Sequence, residues 1–264
     1  EMSASLVGSE MCIRDRYGSD KMLKLQNINW TLENGTQIIK DINLDIPDGK
    51  LIVITGPNGG GKTTLAKIIA GIEKPTSGKI FLDNTDISDY DITERAKAGI
   101  SYALQQPVRF KGITVRNLLE LASGKELSID ELCELLGKVG LCTYDYIDRE
   151  INSSLSGGEI KRIEIASVLA RKTKLTIFDE PEAGIDLWSF TGLIKVFEEL
   201  KSKHKGTQII ISHQERILEI ADEIIVIADG LVRTNGQKDE IMPILLENEY
   251  GQHCPEGKEE VYSE

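Results

Sequence analysis

From Met22 onward apolar and polar residues alternate (MLKLQNINW), the two-residue period of a strand with one buried face. Further along, short runs rich in Ile and Val predict strands at 51–55, 79–82, 175–178, 207–212 and 223–228. Between them apolar residues recur every three to four positions, which predicts helices at 62–70, 115–122, 129–139, 159–171 and 187–203. Strands alternating with helices imply an α/β core, a mostly parallel sheet covered by helices. Two stretches break that rhythm. Residues 22–47 hold two or three strands joined by the turn Glu33-Asn34-Gly35 and no helical pattern, so an antiparallel β piece is expected there. Residues 106–154 carry helical patterns alone and read as a helical subdomain inserted into the core. The expected organisation is one domain over 22–246, followed by a loose acidic tail at 247–264.

The first twenty-one residues show neither period. The string SLVGSEMCIRDR resembles translated sequencing-adapter read-through, so residues 1–21 are expected to be non-native, or else a disordered extension, with Met22 as the start. They enter no functional argument. Composition then excludes some classes. The 264 residues carry 31 Lys+Arg against 43 Asp+Glu, a net charge of −12. That balance argues against a non-specific nucleic-acid binder, which needs a basic face. No apolar run approaches the ~18 residues of a membrane span, so direct membrane insertion is not expected. Four cysteines (Cys12, Cys133, Cys142, Cys254) form no CxxC pair and suit a reducing, cytoplasmic setting. Cys133, in ELCELL, is expected in the core, and Cys142 suits the core as well. Cys254 beside His253 is a weak metal signal.

The segment LIVITGPNGGGKTTLAKIIAG is the most informative. Gly56-Pro57-Asn58-Gly59-Gly60-Gly61-Lys62-Thr63 fits G-x-x-x-x-G-K-[ST], with Thr64 next, and it follows a predicted strand and opens a predicted helix. Glycines let the backbone turn its N–H groups onto a phosphate, and the helix N-terminus adds a positive dipole end. Lys62 can reach the β- and γ-phosphates, and the Thr63 hydroxyl can ligate Mg²⁺. A glycine-rich turn ending in Lys-Thr by chance is the bland alternative, and the strand–helix context argues against it.

A second set of motifs follows in order. Leu155-Ser156-Gly157-Gly158-Glu159 precedes a helix, and Leu175-Thr176-Ile177-Phe178-Asp179-Glu180 comes about twenty residues later. These resemble the signature and Walker B motifs of the ATP-binding cassette (ABC) ATPases, a P-loop NTPase fold, and the resemblance covers 22 to about 236. It makes Gln105 the Q-loop glutamine, Ala183-Gly184-Ile185-Asp186 the D-loop and His213 the switch histidine. It implies ATP and Mg²⁺ as cofactors, with Thr63, Gln105 and Asp179 at the metal. It implies Glu180 orienting or deprotonating the attacking water, and His213 on the γ-phosphate. Ser156, Gly157 and Gly158 would close on the γ-phosphate of a second copy, so an ATP-dependent head-to-tail homodimer is implied. Singly, Asp179-Glu180 fits a strand-end charge pair and His213 a surface histidine; the ordered set carries the reading.

The adenine contact is open. Trp30 and Leu32 lie two apart on one strand, and spacing favours Leu32, which is not aromatic. For the driven partner there are two readings. The Q-loop stretch Gln105-Gln106-Pro107-Val108 with Gly112-Ile113, and His213-Gln214-Glu215-Arg216-Ile217-Leu218, resemble the SufC ATPases of iron–sulfur cluster assembly. That implies SufB- or SufD-type scaffold proteins docking near Gln105, with Pro107, Val108, Arg109, Phe110 and Lys111 as the surface to test. Pro181 departs from SufC and matches transporter cassettes, which leaves the nucleotide-binding subunit of a membrane permease as the alternative.

Overall fold

The computed structural model describes residues 21–247, apart from 107, 153, 172, 204 and 205. The tail at 248–264, with Cys254, and residues 1–20, with Cys12, lie outside the described residues.

Alternation at the start builds a sheet. Strands β1 (Lys21–Thr31) and β2 (Gln37–Pro47) pair antiparallel across the predicted turn. Strand β4 (Ser77–Leu82) joins the other edge of β1, and β5 (Thr85–Asp86) follows it, in the order β2-β1-β4-β5. The sequence pattern places residues 79–82 among the strands of the parallel core, but β4 belongs to the antiparallel sheet. Its half-alternating burial, with Ile80 and Leu82 inward, fits a sheet with one buried face.

The core sheet has the order β10-β9-β3-β8-β7-β6. Strands β3 (Leu51–Thr55), β6 (Ile100–Ala103), β7 (Leu175–Asp179), β8 (Thr207–Ile211) and β9 (Glu223–Ala228) run parallel, and β10 (Leu231–Gln237) returns antiparallel on β9. β3 and β8 are buried at every residue, which is why they carry runs of Ile and Val rather than an alternating pattern. One apolar cluster joins a face of this sheet to the β1–β2 sheet and to α1 (Lys62–Ala70). A second lies on the other face, under α3 (Val115–Ser123), α4 (Ile129–Lys138), α6 (Gly157–Arg171) and α7 (Leu187–Lys203). The insertion is helical as expected, α3 and α4 being followed by the short α5 (Thr143–Tyr146), with one isolated bridge from Thr114 to Glu150.

Outside the insertion, three helices among the described residues escape the periodicity reading. α2 (Ile92–Ala98) and α8 (Glu215–Ile220) span two turns or fewer, too short for a period to show. α9 (Lys238–Glu247) carries Pro243 inside it, a residue that reads as a helix breaker. Cys133 is half-buried, and Cys142 is exposed rather than in the core, because it sits just ahead of α5 at a chain turn. The helix that follows the phosphate loop, α1, is anchored at its far end. Arg95, 1% exposed, donates to the Ile68 and Ile69 carbonyls at 2.6 and 2.8 Å, placing a cation at the negative end of the helix.

Candidate functional site

Topology gathers the motifs. The phosphate loop leaves the C-terminal end of β3, His213 follows β8, Asp179 ends β7 and Gln105 follows β6. These four strands are adjacent and parallel, so all four chain ends open on one edge of the sheet, the usual ligand crevice of such sheets. There a cavity of about 580 Å³ is lined by Asn58, Gly59, Gly60, Gly61, Lys62, Thr63, Thr64, Gln105 and Glu180. Trp30, Leu32 and Ile38 form its other wall, so both residues considered for the adenine contact face the cavity; Leu32 is 40% exposed, while Trp30 also packs on the core.

The loop is tightly held. Gly56 has φ of 129°, and a Cβ there would lie 2.1 Å from the Ile227 carbonyl oxygen of β9. Its requirement for glycine therefore comes from a neighbouring strand as well as from a phosphate. Lys62 donates to the Gly56 and Pro57 carbonyls at 2.7 and 2.9 Å, so its ammonium lies folded along the loop. Burial lowers its pKa, against the opposing fields of Glu180 and Asp179.

The two acidic neighbours and the histidine behave differently. Asp179 is fully buried; its Oδ1 accepts from the Thr63 hydroxyl at 3.1 Å and its Oδ2 from the Tyr102 hydroxyl at 2.7 Å. Burial raises its pKa, and both hydrogen bonds oppose that shift. A hydroxyl beside a carboxylate is an all-oxygen donor set, which suits a hard cation such as Mg²⁺. Glu180 adopts φ of 44°, a strained conformation for a side chain of its size, directly beyond the strand end. Its Oε2 accepts from the Gln105 side-chain amide at 2.6 Å, and His213 Nε2 lies 3.8 Å from its Oε1. The pKa of His213 is lowered by burial first and by Lys62 second, with Glu180 opposing.

Ser156, Gly157 and Gly158 stand away from this cavity's lining. Their motif is a capping box: the Glu159 N–H donates to Ser156 Oγ at 3.3 Å, and the Ser156 N–H donates to Glu159 Oε2 at 2.7 Å. Ser156 and Gly157 are exposed, and a Cβ on Gly158 would come within 3.0 Å of the Gly184 carbonyl, so the signature and D-loop pack together inside one chain.

Sequence reasoning missed three supporting residues. Glu164, on α6, accepts from the Leu104 N–H at 2.8 Å, and Lys161, fully buried one turn earlier, donates to the Leu104 carbonyl. The pair grips both backbone groups of the residue before Gln105. Its signal was present as an i,i+3 Lys–Glu pair inside an otherwise apolar helix face. Glu182 accepts from the Ser212 hydroxyl at 2.6 Å, tying the D-loop to the residue before His213. A second cavity, of about 430 Å³, lies behind the Q-loop and is lined by Tyr102, Leu104, Val108, Phe110, Leu118 and Ile160, among others. Val108, Arg109, Phe110 and Lys111 are exposed along it or beside it; Pro107 lies outside the described residues.

Comparison with known proteins agrees with this geometry. The ABC transporter family model matches residues 39–183. An uncharacterised ABC transporter ATP-binding protein of Methanocaldococcus jannaschii is 40% identical over 228 residues, covering 83% of this chain and 90% of its own length. The energy-coupling factor transporter ATP-binding protein EcfA2 of Clostridium acetobutylicum is 32% identical, covering 83% of this chain and 80% of its own. Among solved structures, a dimeric post-hydrolysis state of an ATP-binding cassette bound to ADP and Pi superposes with a TM-score of 0.74 at 26% identity, over 82% of this chain and 99% of that one.

Proposed function

The chain belongs to the ABC transporter family of ATP-hydrolysing cassettes, and on that premise we propose that it binds Mg²⁺ with ATP, closes head-to-tail on a second copy and moves a separate partner protein. The observation that supports this best is the convergence of Lys62, Thr63, Gln105, Asp179, Glu180 and His213 at the ends of four adjacent parallel strands.

The roles follow from position. The loop from Gly56 to Thr64 holds the phosphates, with Lys62 swinging from its carbonyl partners onto the β- and γ-oxygens. Thr63, Asp179 and Gln105 hold the cation, which when bound neutralises charge on the transferred phosphoryl group. Glu180 orients or deprotonates the water, once the Gln105 amide leaves its Oε2. His213, kept neutral near pH 7 by burial and by Lys62, hydrogen-bonds the γ-phosphate. Ser156, Gly157 and Gly158 complete the site of the second copy; their exposed capping box presents N–H groups at the start of a fifteen-residue helix. This reading places the subunit in the cytoplasm, where ATP is supplied.

The partner we favour is a membrane permease, in keeping with relatives named as transporter ATP-binding proteins. Among the described residues no helix is long and apolar enough to cross a membrane. The groove beside Phe110 is the dock this reading uses, an exposed aromatic between Arg109 and Lys111 being a suitable anchor. A second reading, a soluble SufB- or SufD-type scaffold on the same groove, rests on the SufC-like residues around Gln105 and His213. Affinity capture from the native host separates them: a permease supports the first, a soluble scaffold the second. Glu180→Gln tests the composite site, with ATP binding kept, hydrolysis lost and a dimer trapped by ATP in size-exclusion chromatography. A monomeric variant with full turnover would end the two-copy mechanism.

A further inference from the structure

We propose that Tyr102 is a positioning residue for the cation-holding carboxylate, fixing Asp179 through its second oxygen. The inference rests on the metal–nucleotide reading above. Strands β6 and β7 run parallel with Tyr102 opposite Ile177. Asp179 lies two residues beyond Ile177 and so projects from the same face of the sheet. That register carries the phenol to Asp179, and the hydroxyl donates to Oδ2 at 2.7 Å. Oδ1 is left to the Thr63 hydroxyl at 3.1 Å, on the side of the phosphate loop.

The two bonds divide the carboxylate. A fully buried Asp needs partners on both oxygens, and a phenol held in a strand fixes the plane of the group more firmly than a mobile water would. With Oδ2 pinned, Oδ1 keeps one direction, toward Thr63. The grip is itself supported, since Leu104, two residues on from Tyr102, is clamped at both backbone groups by Glu164 and Lys161. Removing the phenol oxygen leaves the ring in place and frees the carboxylate to rotate. The loss falls on cation affinity, because neither the phosphate loop nor the cavity wall includes Tyr102.

The test uses the full chain with ADP, so that turnover plays no part, and Mn²⁺ as a paramagnetic probe read by electron spin resonance. In Tyr102→Phe, ADP affinity in the presence of chelator is expected to stay within twofold of the parent. The Mn²⁺ dissociation constant in the presence of ADP is expected to rise about tenfold, as for loss of other hydrogen-bond partners of metal ligands. Tyr102→Met is the second variant. It fills the strand position without ring or hydroxyl and is expected to weaken Mn²⁺ to the same degree, should the Phe variant fold poorly. Unchanged Mn²⁺ affinity in a folded variant of either kind overturns the inference and leaves the nucleotide reading standing. A parent chain that binds ADP but shows no ADP-dependent Mn²⁺ site would overturn both.

Discussion

At the residue scale, the same few side chains behave differently because their surroundings differ. Asp179 is enclosed and pushed toward the neutral form by burial, with Tyr102 and Thr63 holding it charged. Glu180, one residue later, is only partly enclosed and strained in backbone, and it meets Gln105 and His213. His213 carries a pH prediction. Burial and the Lys62 charge lower its pKa beneath the ordinary 6.5. The folded chain therefore favours neutral imidazole. Its contribution to stability is complete above pH 6.5 and is lost as pH falls through the lowered value. Ring-nitrogen NMR should find the His213 midpoint below 6.5, and a midpoint above 7 would contradict the cause given. Lys62→Ala is expected to weaken ATP binding and reduce turnover at least a hundredfold, since no other cation lines the cavity among the described residues. Isothermal calorimetry and a phosphate-release assay would measure the two effects.

At the scale of elements, the signature helix α6 has two jobs. Its first turn is a capping box that leaves Ser156 and Gly157 exposed, and its second turn clamps the strand leading to Gln105. Each job has its own expected cost. Ser156→Ala removes one cap and should destabilise the fold by about 1 kcal/mol in a denaturant titration. Lys161→Met should cost more, about 3 kcal/mol, because Glu164 stays buried without its cation. Lys161→Met should also depress turnover more than nucleotide affinity, as the backbone before Gln105 loosens while the phosphate loop does not. Equal losses in both would point to general unfolding rather than to the clamp. Much at this scale was readable in advance. The helices at 62–70 and 187–203 match the predicted bounds, because each presents a long apolar face on a buried sheet. α9 was hidden by Pro243, and α2 and α8 by their length.

At the scale of the molecule, two cavities meet at the end of one strand. The nucleotide cavity and the Q-loop groove lie on either side of the β6 end, with Tyr102 and Leu104 on the groove wall and Gln105 on the cavity wall. A partner in the groove therefore stands next to the residues that aim Gln105. Phe110→Ala is expected to leave nucleotide binding of the isolated cassette unchanged and to weaken partner capture at least tenfold, read in a pull-down with the native partner. Undiminished capture would move the dock elsewhere.

Residue order alone determined the chemistry available: a glycine-rich loop ending in Lys62-Thr63, a signature stretch, and an acidic pair at a strand end. Those depend on local spacing, and spacing along a chain is sequence. Tertiary structure alone decided that β4 joins the antiparallel sheet, that Gly56 is required by the approach of β9, and that Tyr102, Lys161 and Glu164 serve the site. Each of these is a contact between residues far apart in the chain, from 48 positions for Asn29 and Ser77 to 77 for Tyr102 and Asp179 and more for Gly56 and β9. The strand contacts are set by which strands lie side by side, a choice made by burial over the whole sheet and carried by no local pattern, while for the α6 clamp the Lys161–Glu164 spacing is local and its target, Leu104, is not.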